Sequence, residues 1–227
     1  MADLNSMEIA SELQYFGKMT ASISHEIKNV MAIINESAGL LEDYSLMAEK
    51  GLPIDPARLK TVSKRVSSQI RRADGITKVM NSLAHSVDAF HKSIGIEETL
   101  ELAVALARRL ADMRSVTLEL KPPADLSTVI TSPFHLQNLI WRILDFAMDV
   151  SGDGKTVGIT FETNKTSVTI GFTGLEELTS VSKPAFPTEK EKALLQILNA
   201  TIQQNEKARE INLFLPKDIG QSRTANR

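Results

Sequence analysis

The chain has 227 residues, enough for two modest domains, and its 42% hydrophobic content suffices for packed cores. Its 26 basic and 28 acidic residues leave a formal charge of -2, a balance that disfavours nucleic acid and anionic lipid as partners. Cysteine is absent, which excludes disulfides, thiolate metal sites and cysteine catalysis and fits a reducing, cytoplasmic setting.

Residues 1–10 carry Asp3 and Glu8 and no sustained apolar run, so they read as neither a signal peptide nor a membrane anchor. Asn5 and Ser6 can cap a long helix whose apolar positions run from Ile9 through Leu13, Phe16, Ile27, Ile34 and Leu41 to Met47. Within it, residues 22–29 read Ser-Ile-Ser-His-Glu-Ile-Lys-Asn. At about 100° per residue, Phe16, Met19, Ile23, Ile27, Val30 and Ile34 share one stripe, and His25 points away from it to solvent. Asn29 lies one turn on, on the same outward face, with Glu26 at the flank. A His-Glu pair on a helix also opens a zinc-protease motif, but Asn29 stands where the second imidazole is required, so that reading fails.

The first helix stops near Lys50 and Gly51, and Asp55-Pro56 supplies a cap and a first-turn proline for a second. Leu59, Val62, Val66, Ile70, Val79 and Leu83 mark its buried side, with Gly75 a local weakness. Two long helices and a short loop make an antiparallel hairpin, which cannot cover its own apolar stripes. Pairing with a second copy in a four-helix bundle solves that, so residues 1–90 are expected to form a homodimer.

The pattern breaks over residues 90–95, and a mixed α+β domain is expected over 96–219. A helix over 96–113 is followed by alternation of Val116, Leu118 and Leu120 as a strand, and by a short strand at 128–131. Ser132-Pro133 opens a helix carrying Leu136, Leu139, Ile143, Leu144 and Ala147. Val157, Ile159 and Phe161 then alternate against Val168, Ile170 and Phe172 as a hairpin. Residues 174–187 read as irregular. Thr188 and Glu191 form a capping box for a final helix through about residue 204, residues 211–215 close the fold as a strand, and residues 220–227 read as a tail. His85, His91 and His135 have no ligand spacing and read as surface or interface residues. Asp145 and Asp149 share a helix face but lack further ligands, and Trp141 reads as a core or interface anchor.

The His25-Glu26-Ile27-Lys28-Asn29 stretch resembles the phosphoacceptor motif of sensor histidine kinases, in which an acidic residue follows the histidine and Asn or Thr follows one turn later. The order of elements is similar as well: a dimerising helical hairpin, a linker, and an α/β sandwich ending in a Phe-Leu-Pro strand, here Phe214-Leu215-Pro216. Val30 stands where the family usually has a proline. Where the family's ATPase domain carries two asparagines for nucleotide and magnesium, this chain has Arg142 and Phe146, so both oxygen ligands are missing. The stretch Phe172-Thr173-Gly174-Leu175 lacks the aspartate that reads adenine, and the glycine-rich phosphate loops have no counterpart between Gly174 and Leu215. The combination resembles the histidine phosphotransferases built on a degenerate histidine kinase dimer, which pass phosphoryl groups between response-regulator aspartates without ATP.

That resemblance implies roles for individual residues. His25 would be the nucleophile, Glu26 would accept the hydrogen bond of the proton-bearing ring nitrogen, and Asn29 could position a water for aspartyl-phosphate hydrolysis. No cofactor is expected on the chain, and magnesium would come with the response regulator. The outward face of Lys18, Ala21, Ser22, Lys28, Ala32 and Glu36 is the expected docking surface for a receiver domain, and a hybrid histidine kinase is a possible upstream donor. A scaffold or inhibitor, a regulator phosphatase and an ATP-dependent kinase are the competing readings.

Overall fold

In the computed structural model the chain is described over residues 2–122, 127–179 and 185–220, with side chains from residue 9 onward. Two long helices come first, α1 (Ala2–Glu49) and α2 (Pro56–His85). α1 begins earlier than expected, because Ala and Leu propagate a helix and Asp suits its first turn; Asn5 and Ser6 therefore lie inside it rather than capping it. Val30 is 1% exposed and the helix runs through it unbroken. At its end Gly51 takes φ 73°, and Leu52 N–H donates to Met47 C=O while Gly51 N–H donates to Ala48 C=O. These two bonds satisfy the last carbonyls in a left-handed stop that glycine adopts without strain. α2 starts where Asp55 Oδ1 accepts the Ala57 N–H at 2.8 Å.

The chain divides into two compact units, Gly17–Ser82 and a second comprising Met1–Phe16 with Leu83–Arg227. This differs from a cut near residue 90 by giving the first turns of α1 to the sheet-bearing unit. The smaller unit is the hairpin, with Met19, Ile23, Val30 and Val62 buried along it. It also leaves Met31, Leu41, Leu46, Leu59, Ile70 and Met80 exposed.

The larger unit contains β1 (Lys92–Gly95), α3 (Ile96–Arg114), β2 (Thr117–Leu120), β3 (Thr128–Thr131), α4 (Pro133–Asp149), β4 (Thr156–Thr163), β5 (Ser167–Thr173), α5 (Glu189–Ile197), β6 (Thr201–Asn205) and β7 (Glu210–Pro216). Five strands form one sheet in the order β2-β4-β5-β7-β6, with β2 parallel to β4 and the other pairs antiparallel. β1 and β3 pair separately as a two-stranded ladder. The register places Ile159 opposite Phe172, Phe172 opposite Ile211 and Ile170 opposite Leu213, so the buried side chains of three strands share one face. Leu100, Ala103 and Ala107 of α3, with Leu136, Leu139, Ile140, Ile143 and Leu144 of α4, complete the core.

The final helix is shorter than expected. It stops at Ile197, Asn199 turns left-handed at φ 48°, and residues 201–205 become the edge strand β6 against β7. Asparagine tolerates that conformation, and a strand reversal is then cheaper than another helical turn carrying Thr201 and Ile202. The Thr188–Glu191 capping box is present, with Glu191 Oε2 accepting the Thr188 N–H at 2.8 Å. Of the irregular stretch, residues 180–184 lie outside the described residues, as do 221–227 of the tail.

Candidate functional site

The hairpin displays His25 to solvent, as its position opposite the apolar stripe predicts. Its Nδ1 lies 3.3 Å from Asn29 Nδ2, one helical turn away, and both residues are exposed. An amide oxygen and nitrogen exchange places by a half-turn, so Asn29 can offer Nδ1 either a donor or an acceptor. The Nδ1–H tautomer, bonded to Asn29 Oδ1, leaves Nε2 with a free lone pair directed outward.

Glu26 is placed differently from the expectation that it would hold the imidazole. It is half-buried on the α2 side, and its Oε2 accepts from Arg72 Nη2 at 2.6 Å. Helical rotation is the reason: residues one apart differ by about 100°, so Glu26 turns toward the neighbouring helix while His25 faces out. Asn29, at i+4, is the residue that shares the histidine's face. Arg72, 46 positions away in sequence, is a member of the site that local spacing could not show.

The expected docking residues sit on this outward side. Lys18, Ala21, Lys28 and Ala32 are exposed and Ser22 is half-buried, while Glu36 is exposed and accepts from Arg65 Nη2 at 2.8 Å. The alanines add little bulk beside the imidazole.

In the larger unit, Arg142 is tied into the interior. Its Nε donates to Asn138 Oδ1 at 2.9 Å, Nη1 to Glu191 Oε1 at 3.2 Å and Nη2 to Ser11 Oγ at 2.7 Å. Phe146 stacks on Phe186 with ring centroids 4.3 Å apart and planes 10° off parallel. A guanidinium and a phenyl ring offer a magnesium nucleotide no oxygen donor, so these two positions do not fit that group. Asp145 and Asp149 are both bridged by Arg114, at 2.7 and 3.2 Å. Among the described residues, no three His, Cys, Asp or Glu side chains converge as a metal site.

Trp141 is 4% exposed and lies 5.6 Å from the Tyr15 ring, centroid to centroid, which makes it the anchor its sequence context implied. His135 links Ser132 Oγ at 2.6 Å to Glu12 Oε1 at 2.8 Å and edges an apolar cavity of about 460 Å³ lined by Ile9, Leu13, Phe16, Val87 and Phe90. His85 pairs with Asp88 at 2.8 Å.

No protein-family model and no curated protein matches the sequence. Among solved structures, a bacterial phosphotransferase is 15% identical and aligns 89% of this chain with 95% of its own, at a TM-score of 0.48. The histidine kinase AdeS of Acinetobacter baumannii is 13% identical over 85% of this chain and 98% of its own, with a TM-score of 0.43. The histidine kinase ThkA, solved in complex with the response regulator protein TrrA, is 17% identical over 97% of this chain and 68% of its own, with a TM-score of 0.45. No described helix is long and apolar enough to cross a membrane.

Proposed function

We propose that the chain is a histidine phosphotransferase of a two-component phosphorelay, carrying phosphoryl groups between response-regulator aspartates on His25 without ATP. The observation that supports it most is the exposed imidazole with Asn29 on Nδ1. The Nε2 lone pair attacks the phosphorus of an aspartyl phosphate, the N–P bond forms, and the P–O bond breaks with its electron pair passing to the aspartate carboxylate. The Nδ1 proton stays on the ring, held by Asn29 Oδ1 after the amide turns, and the cation so formed transfers the group onward by the reverse step. Magnesium belongs to the regulator's acidic pocket. Arg142 and Phe146 support the absence of ATP from this chemistry, since neither can ligate the ion that ATP carries.

The apolar side of the hairpin supports a homodimer. Met31 is 61% exposed and Ile70 50%, and with Leu41, Leu59 and Met80 they are apolar side chains that a second copy of the hairpin would cover. In this reading the dimer covers that flank and leaves the His25 flank to the regulator.

The experiment is incubation with phosphorylated receiver domains, comparing wild type with His25→Ala. Label appears on the wild type and is absent from the variant. No labelled protein with any response regulator of the source cell overturns the proposal, and biological function that survives His25→Ala identifies a scaffold instead.

A further inference from the structure

The ion pair beside the nucleophile has an unusual position. Arg72 reaches across from α2 to Glu26, the residue that follows His25, so a guanidinium is held against the backbone neighbour of the imidazole. It is not an interior strut: 47% of the Arg72 side chain and 26% of the Glu26 side chain remain exposed. α2 carries seven cations, Arg58, Lys60, Lys64, Arg65, Arg71, Arg72 and Lys78, against the single acid Asp74, and three of them, Arg58, Arg65 and Arg72, spaced seven apart, fall on one face of the helix. One turn pair further along, Arg65 and Glu36 repeat the same contact at 2.8 Å away from any histidine, a built-in control for what such a bridge does structurally.

We propose that Arg72 binds the phosphoryl group on its way to and on His25, exchanging Glu26 for phosphoryl oxygens; the inference rests on the phosphotransferase reading. Three pieces of chemistry lead there. A phosphoryl group in transfer spreads negative charge over three oxygens and is stabilised by positioned cations more than by covalent help. The planar guanidinium fork matches that oxygen geometry, and an Arg bonded to one carboxylate trades it for a more highly charged anion at little cost in order. Glu26 meanwhile is a like charge to the arriving group, so it holds Arg72 in place in the empty site and is the partner to be given up when phosphate arrives. This reassigns Glu26 from orienting the imidazole to parking the guanidinium.

The test uses the full chain and phosphoramidate, which needs no protein donor. In that reaction His25 Nε2 attacks phosphorus, the N–P bond to the ring forms, the P–N bond to nitrogen breaks, and ammonia leaves with the electron pair. Initial rates of phosphohistidine formation are compared for wild type, Arg72→Gln, Arg72→Lys, Glu26→Gln and Arg65→Gln. Losing a charge-assisted contact to the transferred group predicts that Arg72→Gln is slower by about tenfold or more. Arg72→Lys falls between it and wild type, since lysine keeps the charge without the fork. Glu26→Gln, which loses the carboxylate that parks Arg72 but keeps the guanidinium itself, is slowed less than Arg72→Gln, and Arg65→Gln is unchanged. If Arg72 merely bridges the helices, Glu26→Gln and Arg72→Gln break the same bridge and slow equally. That result, or an Arg72→Gln rate equal to wild type, overturns the inference alone. Wild type that gains no phosphate on His25 overturns the phosphotransferase reading and this inference with it.

Discussion

Arg142 makes a sharp stability prediction because it and its partner are both withdrawn from water. The Arg142 side chain is 12% exposed and that of Glu191 6%. Arg142→Ala strips Glu191 of one donor and leaves Ser11 and Asn138 without their guanidinium contacts. Breaking one side of a buried pair costs about 3–5 kcal/mol, because the remaining charge is left uncompensated. Glu191 keeps the Thr188 N–H at 2.8 Å, which places the expected loss near the lower end, about 3 kcal/mol. For a chain of this size that is a fall in Tm of roughly 6–12 °C. The assay is urea unfolding followed by the fluorescence of Trp141, the one tryptophan, which sits in the same unit with its ring 5.6 Å from Tyr15. Glu191→Gln in the Arg142→Ala background should recover part of the loss, giving a coupling of about 1–3 kcal/mol. A loss under about 1 kcal/mol, or strictly additive single variants, would refute the claim that this pair holds α1 and α5 to α4.

Two further outcomes concern Tyr15, packed beside Arg142, and Ile70 on the hairpin. Burial pushes the Tyr15 phenol above the usual tyrosine range, against a smaller opposing pull from Arg142. The folded chain therefore keeps a proton that the unfolded chain releases near pH 10, so stability is full below that pH and falls by about 1.4 kcal/mol per unit as pH rises beyond it. Tyr15→Phe should flatten this alkaline fall and cost little at neutral pH, since the hydroxyl has no hydrogen-bond partner among the described residues; an unchanged alkaline slope in a pH series of urea titrations counts against it. Ile70→Asp, on the apolar flank of the hairpin, should shift sedimentation from dimer toward monomer while circular dichroism keeps its helical signal; a wild type already monomeric at micromolar concentration removes the dimer.

What could be read in the sequence was whatever repeats with the period of a single element. Val157, Ile159 and Phe161 alternate because one sheet face is buried, and Ile159 and Phe161 stand opposite Phe172 and Ile170 as that alternation requires. Asp55-Pro56 and Thr188 with Glu191 announce helix starts through their own side chains. β6 escaped because it is an edge strand paired only with β7, and Thr201-Ile202-Gln203-Gln204-Asn205 exposes nearly every residue, so no alternation marks it. β1 escaped for the same reason, being four residues in a two-stranded ladder. At the site, the His25–Asn29 relation is a helical i,i+4 spacing and was legible. The Glu26–Arg72 and Arg142–Ser11 contacts join segments 46 and 131 residues apart, and no local period encodes such a meeting.

The stacked rings of Phe146 and Phe186 have a consequence for how this domain can change. An asparagine at position 146 would strip Phe186 of its facing ring and place an amide with two donors and an acceptor where a hydrocarbon partner stood, a loss of about 2 kcal/mol or more. An asparagine at position 142 would separately leave Glu191 with an uncompensated charge. Neither step alone brings an oxygen pair to bear on a metal, so each is uphill before any gain in ligand binding. The ring and the guanidinium thus lock the interior: a substitution that brings an amide oxygen to either position begins with a less stable protein.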